Sequence, residues 1–399
     1  MLDISNVANY MYTTPLTYST ASEYNNSFKN QIPFKDIDSY QFNDKHVFIF
    51  VMEGISQSEF EKQTSQIPLQ DNFFKRVENQ SHYYSNYYTT NQDSLSAIWT
   101  MMFSTFIPYE SYNDNWNSQF GYILEEENIV NVVNYHNYST SAAISMMNPS
   151  LILGAFEWEK NIFLQEFPIN NSICVSELEY QQGCEDRVLL DDITKQIELS
   201  SQKQFLFQEL IFGHGSGYLE EYDKSVFDYY NDYFNEFYNY LENEKLIEDS
   251  IIIIVSDHGA KEYLSRGIDN FKIPLVVIDS SNEKKEIDEL YSHLQFKDII
   301  FSYMNNSQIP QSPDEVFIVG QSLNSEFGYI NSNNDYFLAR DSLFNYYRIF
   351  NYTLESSLIR NKLAQFEYEK EYSLNKSSEK SFYCVLCERN EQMIVERRR

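Results

Sequence analysis

Two stretches of the chain are apolar at nearly every position. Lys45–Met52 contains His46-Val-Phe-Ile-Phe-Val-Met, and Ser250–Ser256 holds four isoleucines and a valine between two serines. Unbroken apolar runs of this length predict strands covered on both faces, as in a parallel sheet. Ile129–Tyr135, Phe205–Phe212 and Ile273–Ile278 predict three more strands of the same kind. Between them the period changes. Leu95, Ile98, Trp99 and Met102 share one helical face, which predicts a helix over 94–105 stopped by Pro108. Val226, Tyr229, Tyr230, Phe234, Phe237 and Leu241 predict a long amphipathic helix over 222–247, and Phe296–Met304 predicts another helix. Strands alternating with helices predict an α/β fold: a mostly parallel central sheet with helices on both faces.

The pattern shifts after about residue 325. Phe327-Gly-Tyr-Ile, Tyr336-Phe-Leu-Ala and Tyr346–Tyr352 predict short antiparallel strands. The division expected is an irregular, Tyr/Asn/Ser/Thr-rich arm over 1–43, a main domain over 44–325, and a C-terminal appendage with a charged tail over 326–399. The tail's last three residues, all arginine, read as solvated.

Composition narrows the function. The 399 residues are 42% hydrophobic and 17% aromatic, enough for a sizeable core. The formal charge is −30. That field opposes binding to nucleic acid or to anionic lipid by general electrostatics. An anionic substrate would need a local positive charge such as a metal ion. No apolar run approaches the roughly 18 residues of a membrane span. The first residues show no basic segment followed by an apolar one, so the default expectation is a cytoplasmic protein, free or peripheral to a membrane. Four cysteines are too few for a disulfide scaffold. Cys384 and Cys387 form half of a zinc-type pair, with no second half nearby. Cys174 and Cys184 would pair only in an oxidising compartment.

Sites in an open parallel sheet form beyond the C-terminal ends of its strands. Three polar clusters stand at such ends: Glu53-Gly54, Gly213-His214-Gly215 and Asp257-His258-Gly259. A carboxylate, an Asp-His pair and a further His are the ligand types that hold a divalent cation. Two ionisable groups at the rim of a buried apolar strand are costly without a partner. His46, His82, His136 and His293 lack such a context and read as structural or surface residues. A nucleophile is expected where Tyr87–Ser96 leads into the helix over 94–105, because free backbone N–H groups there favour a phosphoryl group. Thr90 and Ser94 are the candidates, against the plain alternative that Thr90, Asp93 or Ser94 only caps the helix.

Taken in order, these segments resemble the alkaline phosphatase/sulfatase superfamily. The resemblance rests on Val47–Gly54, Thr89–Ala97, Met102–Ser104, Phe212–Tyr218, Ile254–Gly259 and Lys272–Val276, spread over residues 44–304. Glu53 at the first ligand position resembles the phosphoethanolamine and phosphoglycerol transferases rather than the sulfatases and nucleotide phosphodiesterases, which usually have Asp. The chain has no Cys-x-Pro-x-Arg or Ser-x-Pro-x-Arg motif, so the formylglycine of a classical sulfatase cannot be made. The resemblance implies a metal-dependent phosphotransferase or phosphodiesterase acting on a small phosphate ester, lipid- or glycan-linked. Glu53, Asp257 and His258 would hold one divalent ion (Mn, Zn or Mg), and His214 would contact substrate or a second ion. Residues 260–272 contain no further His, which favours a single ion. Thr90 has the family's preferred nucleophile side chain and is the expected nucleophile; Ser94, which fits the spacing to Met102–Ser104 better, is the runner-up. A phosphomonoester or sulfate-ester hydrolase and a non-catalytic binder of a glycan or protein are the alternatives.

Overall fold

The computed structural model describes residues 40–91, 93–104, 122–123, 128–145, 156, 158–163, 174–178, 181–214, 225–259, 267–319, 326–342, 346–354, 358–359, 362 and 383–384. Numbered in chain order, the strands begin with β1 (His46–Met52), β2 (Ser81–Tyr84), β3 (Tyr87–Tyr88), β4 (Tyr122–Ile123), β5 (Ser139–Ile144) and β6 (Lys160–Phe163). They continue with β7 (Cys174–Leu178), β8 (Gln181–Cys184), β9 (Gln204–Leu210), β10 (Ser250–Ser256), β11 (Leu275–Asp279) and β12 (Lys285–Ile287). The last are β13 (Tyr291–Ser292), β14 (Glu315–Val319), β15 (Glu326–Asn331), β16 (Tyr336–Ser342), β17 (Tyr346–Tyr352) and β18 (Tyr383–Cys384). The helices are α1 (Gln57–Gln66), α2 (Phe73–Arg76), α3 (Ser94–Phe103), α4 (Ile129–Tyr135), α5 (Leu190–Leu199), α6 (Val226–Asn243) and α7 (Phe296–Met304).

The central sheet runs β12-β2-β11-β10-β1-β9-β5-β6. β1 lies between β10 and β9 and is parallel to both. β5 and β6 continue the parallel half, while β11 runs antiparallel to β10 and to β2. Alternate residues of a strand face opposite sides, and both sides are dry. Val47, Ile49 and Val51 join one core with α3, α4 and α7. Phe48, Phe50 and Met52 join the other with α1, α2, α5 and α6. Cover on both faces is why β1 and β10 are apolar throughout, and it is the layered α/β arrangement the sequence predicts.

α3 starts at its Asp93 cap, whose side chain accepts from Ser96 N, and stops at Ser104 in a left-handed conformation (φ 55°). Pro108 lies outside the described residues. A reciprocal capping box between Ser225 and Asp228 starts α6, whose inner face buries Phe227, Tyr230, Phe234, Phe237 and Leu241.

One expectation is overturned. Ile129–Tyr135 is helical, not a strand. Its apolar residues 129, 130, 132 and 133 follow helical spacing, and the Asn128 side chain caps the first turn. The strand of this unit is β5, whose small residues Ser139, Ser141, Ala142 and Ala143 gave no strand signal.

The C-terminal antiparallel sheet has the order β14-β15-β16-β17 and so begins at Glu315. Its core residues Val316, Ile318, Ile330 and Leu338 pack against Tyr88, Ile268, Phe271 and Leu290. Of the N-terminal arm, residues 1–39 fall outside the described residues, as do Cys387 and the arginine tail. No helix among the described residues is long and apolar enough to cross a membrane.

Candidate active site

β1 and β10 end side by side, and Glu53 and Asp257-His258 follow immediately. A web of short bonds joins the two ends. Asp257 N donates to Met52 O at 3.2 Å. The Ser256 hydroxyl accepts from Ile55 N at 3.0 Å and lies 2.9 Å from Met52 O and 2.8 Å from His258 O. Asp257 Oδ1 accepts from Gly54 N at 3.0 Å and from His258 N at 2.6 Å. Gly54 turns the chain at φ +69°, a conformation that side chains rarely adopt.

These bonds aim three ligand-type side chains at one point. His258 Nε2 lies 3.5 Å from Glu53 Oε1 and 3.4 Å from Asp257 Oδ2, and all three residues are almost fully buried. His258 Nδ1 sits 2.6 Å from Gly259 O; donating its proton there fixes the ring so that Nε2 faces the acids. A tetrahedral ion with ligands at ~2.0–2.2 Å separates its ligand atoms by about 3.3–3.6 Å. The observed spacings match that figure, and the three ligand atoms lie within 4.8 Å of one another. Asp257 Oδ2 is buried and takes no hydrogen bond. Two carboxylates and an imidazole therefore fit a divalent cation. Burial and then Glu53 push the Asp257 carboxyl up to about 6.

The close packing behind His258 yields a direct test. A Cβ on Gly259 would lie 2.0 Å from Asn270 O. Gly259→Ala is expected to destabilise the fold by about 1–3 kcal/mol and to weaken ion binding, read by thermal melting and by metal titration. An unchanged melting point and ion affinity would refute this account of the backbone.

The two candidate nucleophiles lie in different surroundings. Ser94, the first residue of α3, donates its hydroxyl to Glu53 Oε2 at 2.8 Å. Thr90 is fully buried and donates to Asn91 Oδ1 at 2.8 Å, an oxygen that also receives Thr100 Oγ1 at 3.0 Å. That network pins the loop to α3. His214 closes a 3₁₀ turn over Phe212–His214, and its side chain lies outside the described residues. The turn itself touches the site, because a Cβ on Gly213 would lie 2.5 Å from Glu53 O.

Three further groups flank the site. His293 is fully buried, with Nε2 3.2 Å from Ser256 O and Nδ1 3.4 Å from Thr89 Oγ1, and so ties the ligand strand to the loop before α3. The Ser292/Gln295 capping box around it was the available signal. Asp93 has one buried carboxylate oxygen without a hydrogen bond, and burial raises its pKa. Glu209 lies inside β9, opposite Val51, on the face that carries Glu53 and Asp257 at the next outward position. Neither of its carboxylate oxygens has a hydrogen-bond partner. Burial first, then Glu53, Asp257 and Asp186, hold its carboxyl well above the ordinary range. A glutamate inside an otherwise buried strand was legible and was passed over.

The family profile described as Sulfatase matches residues 45–306. The chain belongs to the Sulfatase family. The match takes in β1, α3, β9 and β10, the elements that carry the site. Solved structures extend the likeness. An alkaline phosphatase superfamily protein from Vibrio parahaemolyticus superimposes with a TM-score of 0.61 at 15% identity, over 87% of this chain and 90% of that one. The lipoteichoic acid synthase LtaP from Listeria monocytogenes gives 0.59 at 13% identity, over 86% and 97%. The PsFucS1 sulfatase from Pseudoalteromonas sp. gives 0.56 at 11%, over 84% and 91%. At these identities the likeness speaks for the fold. No curated protein matches the chain. The structural neighbours thus include both a lipoteichoic acid synthase and a sulfatase.

Proposed function

We propose that this Sulfatase-family protein is a metal-dependent phosphotransferase or phosphodiesterase that uses Ser94 as its nucleophile. The catalytic unit is the part of the chain from residue 44 to the start of β14. The observation that carries the reading is the Ser94–Glu53 hydrogen bond at the N-terminus of α3, inside the Glu53/Asp257/His258 cluster. A bound divalent ion, held by those three residues, would supply charge neutralisation and a lowered pKa for the adjacent hydroxyl. Ser94 Oγ is directed at Glu53 Oε2, which receives its proton as Oγ turns to phosphorus. The new Ser94 O–P bond forms in line as the P–O bond to the leaving alcohol breaks, and the alcohol departs with a proton. We assign that proton, and contact with the phosphate oxygens, to His214 on the turn beside Glu53. The N-terminal end of α3, whose dipole favours negative charge, would lie beside the phosphoryl group. Water or an acceptor hydroxyl then resolves the phosphoserine.

The chain lacks the motif that matures to formylglycine, which supports phosphorus over sulfur as the centre attacked. The substrate we propose is a small phosphate ester, lipid- or glycan-linked, rather than a nucleic acid. The −30 charge supports that exclusion. Sulfate-ester hydrolysis is the second reading, favoured by the sulfatase among the structural neighbours. Rates on chromogenic phosphodiester, phosphomonoester and sulfate ester, each with manganese, zinc or magnesium and again with a chelator, test both. Chelator-sensitive turnover is expected, fastest on the diester. Faster turnover of the sulfate ester would install the second reading, and no ion uptake with no turnover would mark a non-catalytic binder.

A further inference from the structure

The turn that meets Glu53 is held from behind by a residue with no part in the chemistry. β9 ends at Leu210, so the amides of Ile211 and Phe212 lie beyond its ladder. Asp186 takes both. Its Oδ1 accepts from Ile211 N at 3.0 Å and its Oδ2 from Phe212 N at 3.1 Å. Oδ1 also accepts from Ser145 Oγ at 2.8 Å. Asp186 is fully buried, so these bonds have no water to replace them.

The next residue on the turn meets the metal cluster. Gly213 N donates to Tyr230 Oη at 3.0 Å, that hydroxyl donates to Leu210 O at 3.3 Å, and the Glu53 backbone bonds to the same oxygen. Only a glycine lets the turn approach the Glu53 carbonyl so closely. A displacement of Asp186 therefore reaches Glu53 and His214 through two amides and one glycine.

Asp186 is itself anchored by a covalent bond two residues away. Cys184 is disulfide-bonded. It ends β8, where the antiparallel register sets Cys174 of β7 directly opposite it. Cys184 N donates to Ser145 O at 2.8 Å, so Ser145 holds both the cysteine and the aspartate to the end of β5.

We propose that Asp186 is the positioning residue of the site, and that a Cys174–Cys184 disulfide holds it so that the Phe212–His214 turn stays docked on Glu53. This rests on the reading of that site as catalytic for its effect on turnover, but not for the brace itself. A bond of this kind forms and persists in an oxidising compartment, so the proposal places the protein outside a reducing cytosol. A small dithiol would open it by delivering two electrons and two protons to the S–S bond. The products are two cysteine thiols and the cyclic disulfide of the reagent.

The test compares the whole wild-type chain with and without dithiol, after peptide mapping. Mapping is expected to recover a Cys174–Cys184 linked pair. Hydrogen exchange is then read at Ile211–Gly213 and, as a control, across β1. Reduction is expected to speed exchange at Ile211–Gly213 at least ten-fold, leave β1 unchanged, and lower kcat/KM for a phosphodiester at least ten-fold. Cys184→Ser should begin at the lowered value and ignore dithiol. Asp186→Asn should fall at least as far, and reduction should then cost it less than a further two-fold, a coupling that loss of stability alone would not produce. Cys184 linked to another cysteine would overturn the proposal. So would unchanged exchange with both thiols counted as free, or Asp186→Asn with wild-type kcat/KM. Faster exchange in a wild-type chain that turns over no ester would support the brace and sink the catalytic reading instead.

Discussion

Replacing Ser94 with alanine is expected to lower kcat by about a thousand-fold or more while ion binding survives. The variant removes only the oxygen that donates to Glu53 Oε2; the three ligand side chains stay in place. Thr90→Val supplies the contrast. Thr90 is buried in a network with Asn91 and Thr100, so its loss should cost about 1–3 kcal/mol of stability and leave most of the turnover. Mass spectrometry after reaction with a phosphodiester should find phosphate on Ser94. Phosphate on Thr90, or full turnover by Ser94→Ala, would refute the assignment of Ser94.

The second large effect concerns ion binding and pH. Burial and Glu53 raise the Asp257 carboxyl to about 6, so the folded, metal-free chain binds that proton more tightly than the unfolded chain does. The stability tied to this proton is present at acid pH and is lost as pH rises from about 4 to about 6. Burial raises the Glu209 carboxyl too, which acts in the same direction. The metal-free melting point should therefore fall as pH rises through this window. Added manganese or zinc should restore it, by more at pH 7 than at pH 5, because protons compete for the ligands. Asp257→Asn removes one ligand and one titrating group together. Its ion affinity should drop about a hundred-fold or more, and its metal-free melting point should exceed that of the wild type at pH 7. Calorimetric ion titration and melting curves at several pH values check both. A variant that binds the ion as tightly as the wild type would remove Asp257 from the ligand set.

Much of this was legible in the sequence, for definite reasons. β1 and β10 are buried on both faces, so they announce themselves as unbroken apolar runs, and polar residues at their ends mark the site. The long helix α6 was readable from its spacing because one face meets the core. Ile129–Tyr135 misled because β-branched residues at helical spacing satisfy both patterns over seven positions. β5 was missed because small residues fill its buried positions. Asp186 acts through bonds to residues far away in sequence, Phe212 among them, and no local pattern encodes such a bond. The choice between Thr90 and Ser94 has the same root. Spacing placed both near the start of a helix, while only the three-dimensional fold shows which hydroxyl reaches Glu53.

The pairing of β1 with β10 also sets a clock. Gly54 and Asp257 are hydrogen-bonded across 203 residues of sequence. At ~5–20 residues per second, ribosomes take roughly 10–40 s to travel that far. Throughout that interval Glu53 is a lone carboxylate on an unfinished sheet. The trio exists only after β10 has been made, so the choice of ion belongs to the nearly complete chain and not to the early nascent one.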